Sequence, residues 1–293
     1  MKKITFFLSI FTLMAVSCVT DNEQHGESVA SKFTLEPGDV FAWCIVPFDS
    51  VRRSPEARID MLKSLGINAY AYDWRAEHLP EMTHELTLAE EKGIHIQGVW
   101  MWIDANQDSP GKLSEGNEQV LKSVQEAGLN TQIWAGFNYN YFENLGDEEA
   151  IQRGKEMISY LDERAKMIGC KIALYNHGDW FGEPANQVKI IQTMPGRDIG
   201  IIYSFHHGHH QIDRFGEVVS VMLPYLWGVN LNGMKKEGPQ ILPLGTGDQE
   251  AGMVSTLVDA GYKGPFGVLG HVMEDDVQHV LEQNLAGLSK LTK

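Results

Sequence analysis

Short apolar runs alternate with amphipathic stretches along most of the chain, and the alternation recurs eight times. Residues 40–46 read as a strand, followed by a helix opened by Ser54-Pro55-Glu56, where serine caps the first turn and proline takes the first helical position. Further strands are predicted at 69–72, 95–102, 131–136, 171–175, 199–202, 227–232 and 267–269. Helices are predicted between them near 79–92, 118–127, 147–168, 184–194, 215–224 and 249–260, with a last one at 275–291. Several end on glycine: Gly66, Gly93, Gly128 and Gly169. Such alternation implies parallel strands joined by helical crossovers. Eight units fit a closed barrel better than an open sheet, so the fold class is α/β, a single (β/α)8 TIM barrel over residues 36–293 with no linker dividing it.

A closed barrel carries its chemistry at the carboxyl ends of the strands. Collected by that rule, the residues are Asp49, Asp73, Arg75, Trp102, Asp104, Asn138, Asn140, Asn176, His177, Asp179, Trp180, Glu183, Asn230, Asn232, Lys235, His271 and Glu274, together with the run Phe205-His206-His207-Gly208-His209-His210. That run places four imidazoles straight after an apolar strand, and imidazole is the side chain best suited to hold a divalent metal or move protons near neutral pH. Aromatic rings mixed with amides and carboxylates, without a dense cluster of cations, suit a neutral polyol. Carbohydrate is therefore the expected ligand class, with Asp73, Trp102, Asn138, Asn176, Trp180, Asn230 and Asn232 as substrate contacts. No phosphate clamp is evident and no nucleotide cofactor is expected.

The first residues bear on location. Lys2 and Lys3 precede an apolar run, and Ala15-Val16-Ser17-Cys18 follows it. Residues 1–17 read as a signal peptide whose end resembles the lipobox of bacterial lipoproteins, which implies lipidation of Cys18 and a flexible tether over 18–35. The expected location is outside the cytoplasm, anchored to a membrane in the periplasm or at the cell surface. The remaining cysteines, Cys44 and Cys170, sit in apolar runs and are expected to be buried free thiols. With 39 acidic against 24 basic residues and no basic stripe, nucleic acid is not an expected partner.

Several motifs from Phe41 onward resemble the sugar isomerase/epimerase superfamily of TIM barrels, which includes xylose isomerase and the endonuclease IV type of enzyme. Leu174-Tyr175-Asn176-His177-Gly178 with Gly182-Glu183-Pro184 resembles its strand-five block, and Phe205-His206-His207-Gly208-His209 its Asp-Thr-Gly-His block on strand six. Asn230-Leu231-Asn232, Leu244-Gly245-Thr246-Gly247-Asp248 and Gly264-Pro265-Phe266-Gly267-Val268 resemble the segments around strands seven and eight. The family's metal set is a Glu on strand five, an Asp and a His on strand six, and a Glu on strand eight. The corresponding positions here are Tyr175, His206, His209 and about Leu269, so both glutamates are replaced. His177 and His271 each lie two residues further on, a shift that keeps a side chain on the same face of a strand. A site rebuilt in histidine would suit Zn, Mn, Co or Fe rather than Mg.

The family's chemistry is proton transfer next to a sugar carbonyl, which needs a base over the C–H and an electrophile for the oxyanion. The resemblance therefore implies a lyase, hydratase, isomerase or epimerase of keto-sugars, 3-keto-glycosides among them. The expected metal or carbonyl ligands are His177, His206, His207 and His209; His177, His271, Lys235 and Glu183 are the expected catalytic groups. The same histidines could instead act without metal as acids and bases. A hydrolase using metal-activated water and a non-catalytic sugar-binding lipoprotein are the other two readings.

Overall fold

The computed structural model describes residue 1 and residues 33–291. Cys18 and most of the signal peptide and tether lie outside the described residues. Among the described residues, no helix is long and apolar enough to cross a membrane.

Eight strands form one closed parallel barrel in chain order: β1 (Val40–Trp43), β2 (Ala69–Tyr72), β3 (His95–Ile103), β4 (Gln132–Phe137), β5 (Lys171–Tyr175), β6 (Ile199–Ser204), β7 (Leu226–Leu231) and β8 (Phe266–Leu269). The barrel closes through β1 and β8, with Val40 paired to Phe266 and Trp43 to Leu269. Each strand is followed by a helix: α1 (Pro55–Ser64), α2 (Leu79–Glu91), α3 (Glu115–Glu126), α4 (Asp147–Met167), α5 (Pro184–Gln192), α6 (Phe215–Met222), α7 (Glu250–Asp259) and α8 (Val277–Gly287). Local chemistry explains the ends. Ser54 Oγ accepts from Ala57 N at 3.3 Å to open α1, and Gly66 takes φ +73° after it, a conformation that costs glycine little.

Most boundaries fall within a few residues of those predicted, and three of the differences have a clear physical reason. β1 stops at Trp43 rather than residue 46, because Cys44 adopts φ +57° and leaves the extended region. α3 starts at Glu115 because Ser114, not a residue nearer 118, caps it, accepting from Asn117 N at 3.3 Å. Packing onto the barrel begins before residue 36, since the Phe33 ring meets Phe266 edge-on at 5.8 Å and Leu35 is buried.

The strands split into two faces with period two. Val40 and Ala42, Tyr70 and Tyr72, Val99 and Met101, and Ile172 and Leu174 belong to the large core between the strands and the helices. Phe41 and Trp43, Ala71, Trp134, Ala173 and Tyr175, Ile202 and Leu269 form a second, aromatic core, with Trp100 packed against it. Glycine makes that second core possible: a Cβ at Gly98 would run into the Trp134 indole, and one at Gly136 into Trp100.

A buried ion pair ties α1 to α2. Arg58 Nη1 donates to both Glu85 oxygens at 2.7 and 2.6 Å, and Tyr70 Oη donates to Glu85 Oε1 at 3.0 Å. With side-chain exposures of 4% and 2%, removing one partner strands the other charge away from water. Glu85→Ala is expected to destabilise the barrel by about 3–5 kcal/mol, read from urea denaturation, whereas loss below about 1 kcal/mol, the range of a solvated pair, would show that the pair is not desolvated.

Candidate active site

The inward alternation continues past the strand ends and carries polar side chains into the barrel mouth. Asp73 follows Ala71 of β2, Trp102 follows Trp100 of β3, His177 follows Tyr175 of β5, His206 follows Ser204 of β6, and His271 follows Leu269 of β8, each by two residues. All of these line one cavity of about 410 Å3, with Trp43, Cys44, Phe48, Trp74, Arg75, Ala76, Trp100, Tyr175 and His207. The volume falls within the range of small-molecule sites.

The floor is aromatic and rigid. Trp43 Nε1 donates to Tyr175 Oη at 2.9 Å. The Trp43 ring lies 5.0 Å from Trp134 and 5.6 Å from Tyr175, and Trp100 meets Tyr175 edge-on at 4.8 Å. Phe48 packs on the His271 ring at 3.8 Å and carries the Arg75 guanidinium 5.3 Å above its own face.

Against this floor stand the imidazoles. His206 and His207 lie 3.8 Å apart between ring centres, His177 and His207 4.4 Å, and His206 and His271 5.7 Å. His206 Nδ1 is 2.8 Å from Ser204 Oγ, which leaves its buried Nε2 without a partner. His177 Nδ1, His271 Nδ1 and Asp73 Oδ2 are also buried and unpartnered, while Asp73 Oδ1 accepts from Val46 N at 3.4 Å. Buried polar atoms left open in this way are costly unless a ligand completes them.

Burial moves the two kinds of group in opposite directions. It pushes His206 down to about 3 and His271 to about 4, with charge repulsion among the histidines adding for His206 and from Arg75 for His271. His207 is driven far below the ordinary histidine range and His177 is also lowered, both chiefly by burial. All four imidazoles are thus neutral at pH 7. Asp73 is raised by burial to about 7, against the opposing pull of Arg75.

Among the described residues, no three His, Cys, Asp or Glu side chains are disposed to hold an ion together. Imidazoles sharing a tetrahedral ion would have ring centres roughly 5 Å apart, each nitrogen pointing at a common centre. His206 and His207 instead lie closer and tilted by 42°. Of the four expected metal ligands, His177, His206 and His207 come together in the cavity, whereas His209 lies apart on the Lys235 carbonyl.

Several other expected site residues lie outside the cavity and have structural partners. His209 Nε2 is 2.7 Å from the Lys235 carbonyl, and the exposed Lys235 side chain does not line the cavity. Glu183 accepts from Arg214 Nη2 at 2.7 Å and Gln211 Nε2 at 3.0 Å and lies 2.9 Å from His210, clamping the loops after β5 and β6. Asn176 ties those two strands together, accepting from Ser204 N at 2.7 Å and donating to Ser204 O at 3.1 Å. Asn232 Nδ2 donates to Gly233 O and Gln240 O at 2.9 and 2.7 Å and so holds its own loop. Asn230 is buried near Gly267, with both amide atoms unpartnered. Asn138 and Trp180 line a separate recess. Conversely, Trp43, Phe48, Trp74, Trp100 and Tyr175 line the cavity without having been expected there. The inward period of β1, β3 and β5 is the signal that identifies Trp43, Trp100 and Tyr175.

The histidine shifts predict how stability depends on pH. An unfolded chain binds protons at His206 and His271 below the ordinary value of 6.5, whereas the folded chain resists until about 3 and about 4. The unfolded state therefore holds more protons between about 4 and 6.5, and stability falls as pH drops through that window. Asp73, raised from 3.8 to about 7, acts in the opposite sense there but is a single group. Urea denaturation at pH 7 and pH 5 should show a stability loss at pH 5 that is smaller in His206→Gln; an equal loss in both proteins would contradict the assignment.

No protein-family model matches the chain, and no curated protein matches it in sequence. Solved structures do match. The 3-keto-D-glucoside 4-epimerase YcjR from E. coli superposes with a TM-score of 0.62 at 14% identity, covering 86% of this chain and 98% of its own. The IolI protein with a bound zinc atom gives 0.63 at 12% identity, covering 86% and 99%. AsbF, a probable 3-DHS dehydratase from Bacillus anthracis, gives 0.59 at 12%, covering 83% and 97%. The likeness covers 83–86% of the chain, and by fold the chain is, like these structures, a (β/α)8 TIM barrel.

Proposed function

We propose that the chain is an enzyme that moves a proton on the carbon beside a sugar carbonyl, acting on keto-sugars such as 3-keto-glycosides as a lyase or hydratase, or as an isomerase or epimerase. One observation carries this reading: a buried carboxyl with an open oxygen, Asp73 Oδ2, shares a sugar-sized cavity with four uncharged imidazoles. The structural likeness to a 3-keto-D-glucoside 4-epimerase and a probable dehydratase supports the same chemistry.

Asp73 is the base. A group titrating at about 7 is half ionised at neutral pH, near the optimum for a general base, whereas His206 and His271, titrating at about 3 and about 4, are too weak to take a proton from carbon. Their role is the complementary one. A neutral imidazole N–H donates to the oxygen on which charge develops, and His177, His206 and His271 each keep a buried nitrogen open toward that task. Arg75 adds a cation at the cavity wall. The indoles of Trp43, Trp100 and Trp102 offer faces for the apolar side of a sugar ring. Proton return to the opposite face of the same carbon gives epimerisation. Departure of a group from the next carbon gives a lyase product, and water addition to the resulting enone gives hydration.

The signal peptide and lipidated Cys18 read from the sequence would place this chemistry outside the cytoplasm, on a membrane-tethered enzyme meeting glycosides rather than sugar phosphates.

Turnover of methyl 3-keto-β-glucoside, followed by proton NMR, tests the reading. Asp73→Asn is expected to lower it by about 10²–10⁴-fold with the fold intact by circular dichroism. Because the base must be ionised, wild-type kcat/KM should fall as pH drops below about 7. Full activity in Asp73→Asn, or activity lost on chelation and restored by a transition metal, would contradict it.

A further inference from the structure

The loops after β4 and β5 enclose a second recess, of about 260 Å3, that no part of the proposed reaction uses. Phe137, Phe142 and Phe181 pack at its base, with Phe142 and Phe181 stacked at 5.5 Å and Phe142 5.1 Å from Trp180. Tyr139 stands at the rim, 57% exposed, an unusual position for a large ring unless something covers it. Asn138, Glu143 and Asp179 supply the polar edge, and neither carboxylate forms an ion pair among the described residues. No Lys, Arg or His lines the recess.

That chemistry excludes an anionic ligand and fits a neutral ring with one apolar face and hydroxyls around its edge. The recess adjoins the main cavity across the loop after β5. His177 lines the cavity and its neighbours Gly178, Asp179, Trp180 and Phe181 line the recess, so a single loop serves both. The Tyr139 ring lies 6.0 Å from the His177 ring, making Tyr139 the wall between the two spaces. Gly178, at φ +97°, faces Tyr139, where a Cβ would stand 3.7 Å from the phenol ring.

We propose that this recess is a second sugar subsite, holding the ring attached to the keto-sugar, so that the substrate is a disaccharide or longer glycoside rather than a monosaccharide. The proposal rests on the reading of the main cavity as a keto-sugar site.

The test uses two inert, unoxidised sugars, cellobiose and methyl β-glucoside, with binding followed through the fluorescence of the cavity tryptophans. Cellobiose should bind the wild-type protein about tenfold more tightly, the worth of roughly 1.4 kcal/mol for one additional ring. Tyr139→Ala should bring that ratio close to one, and Tyr139→Phe should preserve it. Equal affinities in the wild type, or a ratio that survives Tyr139→Ala, would overturn the subsite and leave the keto-sugar cavity standing. Binding of neither sugar would overturn the carbohydrate reading and the subsite with it.

Discussion

The interior of this barrel is filled with indoles, and they fit only because neighbouring strands present glycine to them. Gly98 gives way to Trp134, Gly136 to Trp100 and Gly200 to Trp227, with no room for a Cβ at any of the three. The resulting slab, locked by the Trp43 to Tyr175 hydrogen bond, seals the barrel from below. Side chains that emerge above it at the strand ends are therefore dry on one side and open to a ligand on the other. Everything distinctive about the cavity depends on that floor.

Low polarity acts on acids and bases through the same cost, that of holding charge away from water. It raises Asp73 to about 7 and lowers His206 to about 3, so one environment favours a carboxyl that holds its proton up to neutral pH and an imidazole that stays uncharged there. Where the resemblance to metal-dependent sugar isomerases would place glutamates on strands five and eight, this chain has Tyr175 in the aromatic floor and Leu269 in the same inner core. Replacing two charged ligands by apolar bulk removes the oxygen donors and dries the site in one step.

The strand order, the barrel closure and most helix ends were legible in the sequence, because glycine stops, serine caps and period-two strands are local signals. So was the placement of His177 and His271 on the inward face, since a shift of two residues keeps a side chain on its side of a strand. The loops were less legible. Lys235, Glu183 and His209 looked like chemistry because they lie near strand ends, yet Glu183 is consumed by Arg214 and His210, and His209 caps a carbonyl of the next loop. No local pattern distinguishes a loop carboxylate that faces a ligand from one that faces an arginine thirty-one residues away. Asp73 was visible as a strand-end acid, but its burial, which raises its carboxyl to about 7, depends on chain distant in sequence, such as the segment after β1 where Val46 N donates to it, and is not written in its own neighbourhood.

Solvent hydrogen exchange tests the central claim most directly, because it reports proton abstraction whatever product follows. Methyl 3-keto-β-glucoside incubated with the protein in D2O should acquire deuterium at a carbon adjacent to the carbonyl faster than without protein, and Asp73→Asn should reduce the exchange to the uncatalysed rate. Exchange no faster than background with the wild-type protein, or undiminished exchange in Asp73→Asn, would contradict the assignment of this cavity to proton transfer through Asp73.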